Sequence, residues 1–226
     1  MSPRPRTVQD TAILDAAIVV LSRIGPEKMT LADVGGAVGL SAATLVQRFG
    51  SKRELMLALL RHVTGDIDTR FEAAIASHQS PLDALFAAAT DRPGPVDSHV
   101  SLANRLAFYL SQLEDPEFHA VAMENSQRAI DGFRKLLDAA VDAGELVDGY
   151  TDTAQLAETI YAMLMGSLVT WAVTNEGTFK TKMRRDMDIL LRPFRRGPRK
   201  ASGAPGDRNA SKSGEALASS RSAVGV

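Results

Sequence analysis

The chain has 226 residues, 45% of them hydrophobic, and its 26 Lys and Arg against 27 Asp and Glu give a formal net charge of −1. That content supports a folded protein able to bury one good-sized core, or a small domain leaning on a larger one, and it excludes a globally basic nucleic-acid binder, so any such contact needs a local patch. With no Cys, disulfides and thiolate metal sites are also excluded, and a reducing cytoplasm is the expected compartment.

Residues 1–6, with two Pro and two Arg, are expected to form a mobile basic arm. A helix is predicted from about Thr7 to Ile24, with Ile13, Ala17, Val20, Leu21 and Ile24 facing inward and Gly25-Pro26 ending it. Its apolar run from Ala16 to Leu21 is too short for a signal peptide and follows Asp10 and Asp15.

Two short helices and a tight turn follow. Thr30 can cap a helix whose Leu31, Val34 and Val38 fall on one stripe, and Gly39 can end it in a left-handed conformation. Ser41 can cap the next helix, about 42–48, with small Gly35 at the close approach and Leu45 and Phe49 turned inward. Ser51 caps a third helix that carries Lys52 and Arg53 in its first turn. Cations there oppose the helix dipole, which points to an anionic partner such as phosphate. Residues 1–61 carry eight Lys and Arg (Arg4, Arg6, Arg23, Lys28, Arg48, Lys52, Arg53, Arg61) against five acids (Asp10, Asp15, Glu27, Asp33, Glu54), so the remainder is net acidic.

The helix begun at Ser51 is expected to run to about Ser77, with Leu55, Leu59, His62 and Val63 in register and Gly65 as its weak point. Pro81 opens a short helix to about Thr90, and residues 91–97 are rich in turn formers. Residues 98–113 form the next helix, with Leu102, Leu106, Tyr109 and Leu113 on a stripe. Asp115-Pro116 then starts a long helix to about Ala143 that buries Phe118, Val121, Ala122, Ala129, Phe133, Leu136, Leu137, Ala140 and Val141. Thr151 or Asp152 caps a helix over about 153–174, apolar on nearly every face from Ile160 to Val173. It therefore needs cover from its own core or from another subunit. The last helix, about 178–194, is amphipathic through Met183, Met187, Leu190, Leu191 and Phe194. No run reaches eighteen uninterrupted apolar residues, so no membrane partner is expected. From Gly197 onward the composition is too polar to offset ordering entropy, and residues 197–226 are expected to be a disordered tail behind the basic run Arg192, Arg195, Arg196, Arg199 and Lys200.

Residues 13–60 carry an ordered set of features: Ile13-Leu14-Asp15-Ala16-Ala17, Gly25, Thr30-Leu31, Gly39-Leu40-Ser41, Thr44-Leu45, Phe49, Ser51-Lys52 and Leu55. This set resembles the DNA-binding domain of the tetracycline-repressor (TetR) family of bacterial transcriptional regulators. Two positions depart from the family pattern: Val46 stands where an aromatic Tyr is usual, and Arg48 where His is frequent. Val46 cannot donate the phosphate hydrogen bond that the Tyr would make, and Arg48 is expected to replace part of it. Ala43 stands where Gly is common, a change that favours helix.

The resemblance implies an all-α protein of about nine helices: a helix-turn-helix domain over residues 1–50 and a ligand-binding and dimerisation domain over 51–196. It implies a pseudo-palindromic DNA operator, a homodimer through helices 153–174 and 178–194, and release from DNA by a small molecule, with repression the expected outcome. Helix 42–48 would enter a major groove, with Gln47 pairing to adenine and Ala42, Ala43 and the Thr44 methyl meeting thymine methyls. Thr30, Ser41, Thr44, Arg48 and Lys52 are the phosphate candidates. For the ligand pocket, Phe86, Asn104, Phe108, Tyr109, Gln112, Met123, Met163 and Trp171 lie on helices able to surround a cavity, and about three of them are expected to line it. Their character points to an apolar or aromatic effector.

An enzyme reading finds little support. His62, His78, His99 and His119 are scattered, there is no His-Glu-x-x-His, and no cofactor or metal is expected. The alternative is a ligand-independent DNA-binding protein, which a filled core in the larger domain would favour.

Overall fold

The computed structural model describes residues 8–91, 98–111, 113–149 and 152–196. Among them the elements are α1 (Asp10–Ile24), α2 (Leu31–Val38), α3 (Ala42–Phe49), α4 (Lys52–Ser77), α5 (Pro81–Thr90), α6 (His99–Ser111), α7 (Pro116–Asp142), α8 (Thr153–Thr174) and α9 (Phe179–Leu191), closed by a 3-10 turn at Arg192–Phe194. The expected basic arm, the turn over 92–97, Thr151 and the tail from Gly197 lie outside the described residues.

The helix ends have local causes. Thr30 and Asp33 form a reciprocal capping box, and Ser41, Ser51, Ser80, Asp115, Asp152 and Thr178 each accept a backbone N–H from the first turn of their helix. Gly39 ends α2 at φ 72°, and Asn175 ends α8 at φ 51°. A Cβ on Gly35 would lie 2.6 Å from the Leu40 carbonyl oxygen, so only glycine allows the α2–α3 turn to close this tightly. Gly65 sits exposed within an unbroken α4, so the expected weak point leaves no mark on the helix. Leu113 falls beyond the end of α6 and is exposed, against its expected place on the inward stripe.

Two principal hydrophobic cores result. The smaller joins α1, α2, α3 and the first two turns of α4 through Ile13, Leu14, Ala17, Val34, Leu45, Leu55 and Leu59. The larger gathers the second half of α4 with α5 to α9, around the edge-to-face pair Phe71 and Phe133, whose ring centroids are 5.1 Å apart. Gly132 lets α7 approach α4 here, since a Cβ would meet the Phe71 ring at 2.6 Å. An antiparallel bridge between Leu146 and Arg195 pins the end of the described chain to the loop after α7.

By length and composition α8 alone among the described helices could cross a membrane, a test that core helices of soluble proteins also pass. One side of it is buried through Leu156, Ile160, Leu164, Leu168 and Trp171. On the other side Val169 and Val173 are exposed, the latter at 81%, and Ile189 of α9 is exposed too.

Candidate nucleic-acid interface and cavity

The surface of α3 follows from its length and caps. Leu45 is fully buried and Phe49 half-buried, which turns Ala43, Val46 and Gln47 outward. Val46 is half exposed and presents only an apolar side chain. At the start of the helix the Ser41 hydroxyl accepts the Thr44 N–H at 3.1 Å and pairs with the Thr44 hydroxyl at 2.9 Å. One proton of the two hydroxyls is spent on that pair, leaving the other for an outside acceptor.

The remaining phosphate candidates are more committed. The Thr30 hydroxyl donates to Asp33 at 2.6 Å and the Thr30 N–H donates to the same carboxylate, so the capping box uses both donors. These bonds, side chain before backbone, hold the Asp33 carboxyl below its ordinary range. Arg48 does not extend outward as expected: its Nη1 donates to the Val8 carbonyl at 2.6 Å and to Asp10 at 3.2 Å, fastening α3 to the start of α1. Lys52 donates to the Glu27 carbonyl at 2.8 Å, one of its three ammonium protons.

The anion expected near Arg53 proves to be internal. Its guanidinium donates to both Asp115 oxygens and to Glu117, and it stacks over Phe118 at 5.3 Å. The Asp115 carboxylate also caps α7, and Arg53 is the first cause of its lowered pKa. Arg61 reaches Glu117 at 2.9 Å and Arg128 reaches Asp68 at 2.7 Å, so α4 and α7 are laced along their length. Sequence alone carried no sign of these pairs, which are 62, 56 and 60 residues apart.

A cavity of about 120 Å³ opens where α1, α4, α6, α7 and α8 meet. Ile18 and Leu21 of α1 and Leu59 and Val63 of α4 form the wall toward the small core. Phe108 and Tyr109 line it as expected, joined by Arg70, Arg105, Asn125 and Tyr161, which the sequence reading did not single out. Five predicted residues lie elsewhere. Phe86 is buried beneath the Arg184 guanidinium, 4.8 Å from its ring centre, and Trp171 packs edge-to-face on Phe179 and donates to the Gly177 carbonyl. Asn104 donates to the Ser22 carbonyl at 3.0 Å and ties α6 to α1. Met123 is 61% exposed, and Met163 packs on the larger core. Gln112 lies outside the described residues. Helical spacing placed these side chains on the right helices, but only the relative rotation of those helices decides which stripe meets a gap.

At the α8–α9 contact, Asp186 accepts from Lys182 at 2.6 Å and from Ser167 at 2.8 Å. Burial alone would raise its pKa; these two bonds outweigh it and the carboxyl titrates below its ordinary value. No cluster of three or more His, Cys, Asp or Glu able to hold a metal ion occurs among the described residues.

Residues 13–59 match the family model described as bacterial regulatory proteins, tetR family. The HTH-type transcriptional regulator BetI of Brucella anthropi is 26% identical over 163 residues, covering 71% of this chain and 80% of that protein. Among solved structures, a Saccharomonospora viridis protein in complex with choline superimposes with a TM-score of 0.67 at 17% identity, covering 82% of this chain and 96% of its own. The transcriptional regulator FadR of Bacillus subtilis in complex with stearoyl-CoA gives a TM-score of 0.57 at 16% identity, with 79% and 96% covered.

Proposed function

The chain is a transcriptional regulator of the TetR family, and from that premise we propose that it represses transcription as a homodimer released from a pseudo-palindromic operator by a small molecule. The observation that carries the reading is the outer face of α3, where Gln47 stands between small apolar side chains on a rigid, capped helix. Gln47 is suited to bidentate pairing with adenine, and Ala43, Val46 and the Thr44 methyl to thymine methyls. Phosphate contacts fall to Lys52 and the Ser41–Thr44 hydroxyl pair, since Thr30 and Arg48 are engaged within the protein. Residues up to about 50 form the reader and 51–196 the dimerising and sensing part.

The exposed apolar face of α8 and α9, Val169, Val173 and Ile189, supports a second copy as its cover. Two such readers on successive major grooves require half-sites about 34 Å or a multiple apart. The cavity supports the sensing role, and it argues against a ligand-independent regulator, which would have a filled core. Because its wall includes α1 and α4, a ligand that prefers a wider cavity favours a different setting of the reader and lowers operator affinity by that same preference. Choline and stearoyl-CoA in the related structures show how varied the effectors of this fold are, so the family alone does not fix this one. Both the relatives and the structural neighbours are regulators, a class without catalysis.

Selection of DNA from a random-sequence pool by the purified protein tests the proposal, and enrichment of an inverted repeat is the expected result. On the selected site, Lys52→Ala should weaken binding to all sequences alike and reduce the log–log salt slope by about 1. Gln47→Ala should instead cost about 1–3 kcal/mol at one base pair of each half-site. Enrichment of no sequence at low salt would overturn the reading.

A further inference from the structure

The cavity is apolar except at a few points, and the charged ones carry a single sign. Arg70 of α4 and Arg105 of α6 both line it, while no Asp, Glu, Lys or His does so among the described residues. Arg70 Nε is shielded from solvent at this wall. Cations beside apolar surface are expensive to desolvate, and a bound anion offsets that cost best where planar guanidinium forks can take two oxygens at once. Two further polar groups flank them. Tyr161 shares a 2.8 Å hydrogen bond with Ser126, and Asn125 donates to Thr64 at 3.2 Å, so both are oriented by neighbours on α7 and α4. The rest of the wall comes from Leu, Ile, Val and Met side chains.

Resting on the sensing reading above, we infer that the effector is an organic carboxylate with an apolar body, its head held by Arg70 and Arg105 and its body in the aliphatic part of the cavity. The two arginines come from different helices, α4 leading from the reader and α6 tied to α1 by Asn104. A carboxylate bridging them therefore draws together elements that both touch the reader, whereas a neutral molecule of the same shape fills the cavity without that pull. A positively charged head would face two like charges.

The test uses the full chain and three probes with the same tail, octanoate, 1-octanol and octyltrimethylammonium, titrated calorimetrically. Octanoate should bind about tenfold or more tighter than octanol, as a charge-assisted bidentate contact requires, and octyltrimethylammonium most weakly. Arg105→Gln and Arg70→Gln should each bring octanoate down toward octanol while leaving octanol binding unchanged, which also reports that the variants remain folded. Octanol or octyltrimethylammonium binding as tightly as octanoate, or octanoate indifferent to both substitutions, would overturn the carboxylate assignment and leave the sensing reading standing. Absence of binding by all three would remove this cavity as a sensor and the assignment with it.

Discussion

The small core around Leu45 and the large core around Phe133 are built from the same kinds of side chain but close differently. In the small core every element lies within the first sixty residues, and short turns force α1, α2 and α3 together: Gly35 admits the Leu40 backbone, Thr30 and Ser41 cap, and Arg48 returns to Val8. The large core assembles helices distant in sequence and leaves a cavity of about 120 Å³ at its border with the small one. A closed unit beside an open one is suited to moving as a body when the open one changes, because packed interiors transmit displacement rather than absorb it.

The sharpest way to break this comparison is to remove the same side chain from each region. Leu45→Ala in the closed core should cost about 2–5 kcal/mol in urea unfolding, whereas Leu106→Ala, half-buried on the cavity wall, should cost about 1 kcal/mol. Equal losses would mean that the two regions are packed alike. Next in size, Gly35→Ala forces a methyl against backbone that cannot turn aside, for an expected loss of about 1–3 kcal/mol and impaired DNA binding. A variant of unchanged stability would show that the α2–α3 turn is compliant.

The smallest effect concerns the Arg53–Asp115 clasp between α4 and α7. The folded pKa of Asp115 is lowered, so its contribution to stability is complete above the unfolded carboxylate value of about 3.9 and drains away as pH falls through the lower folded value. The stability difference between wild type and Arg53→Gln should therefore be constant near neutral pH and shrink on acidification. A difference independent of pH would assign the clasp to packing on Phe118 rather than to charge.

The legible part of this molecule is its local part. The bounds of α2, α5, α8 and the caps at Thr30, Ser41, Ser51, Ser80 and Asp115 stand where Ser, Thr, Asp, Pro and Gly placed them, because each such signal acts within one helical turn. The buried stripe of α7 likewise follows from its spacing. Exposed cations were harder to interpret. Arg48 and Arg53 looked like phosphate ligands, yet Val8, Asp10, Asp115 and Glu117 meet them first, and nothing in a linear chain announces a partner that far away.

By itself, then, the sequence determined the helices, their ends, the reader and its outward Gln47, all consequences of periodicity and capping. Tertiary structure alone decided that Arg70 and Arg105 share a cavity with Phe108 and Tyr109, that Phe86 and Trp171 are core, and that the face with Val173 is left open. The reason is geometric. A helix fixes which residues share a stripe, but only the packing angles among five helices select the stripes that converge on one point.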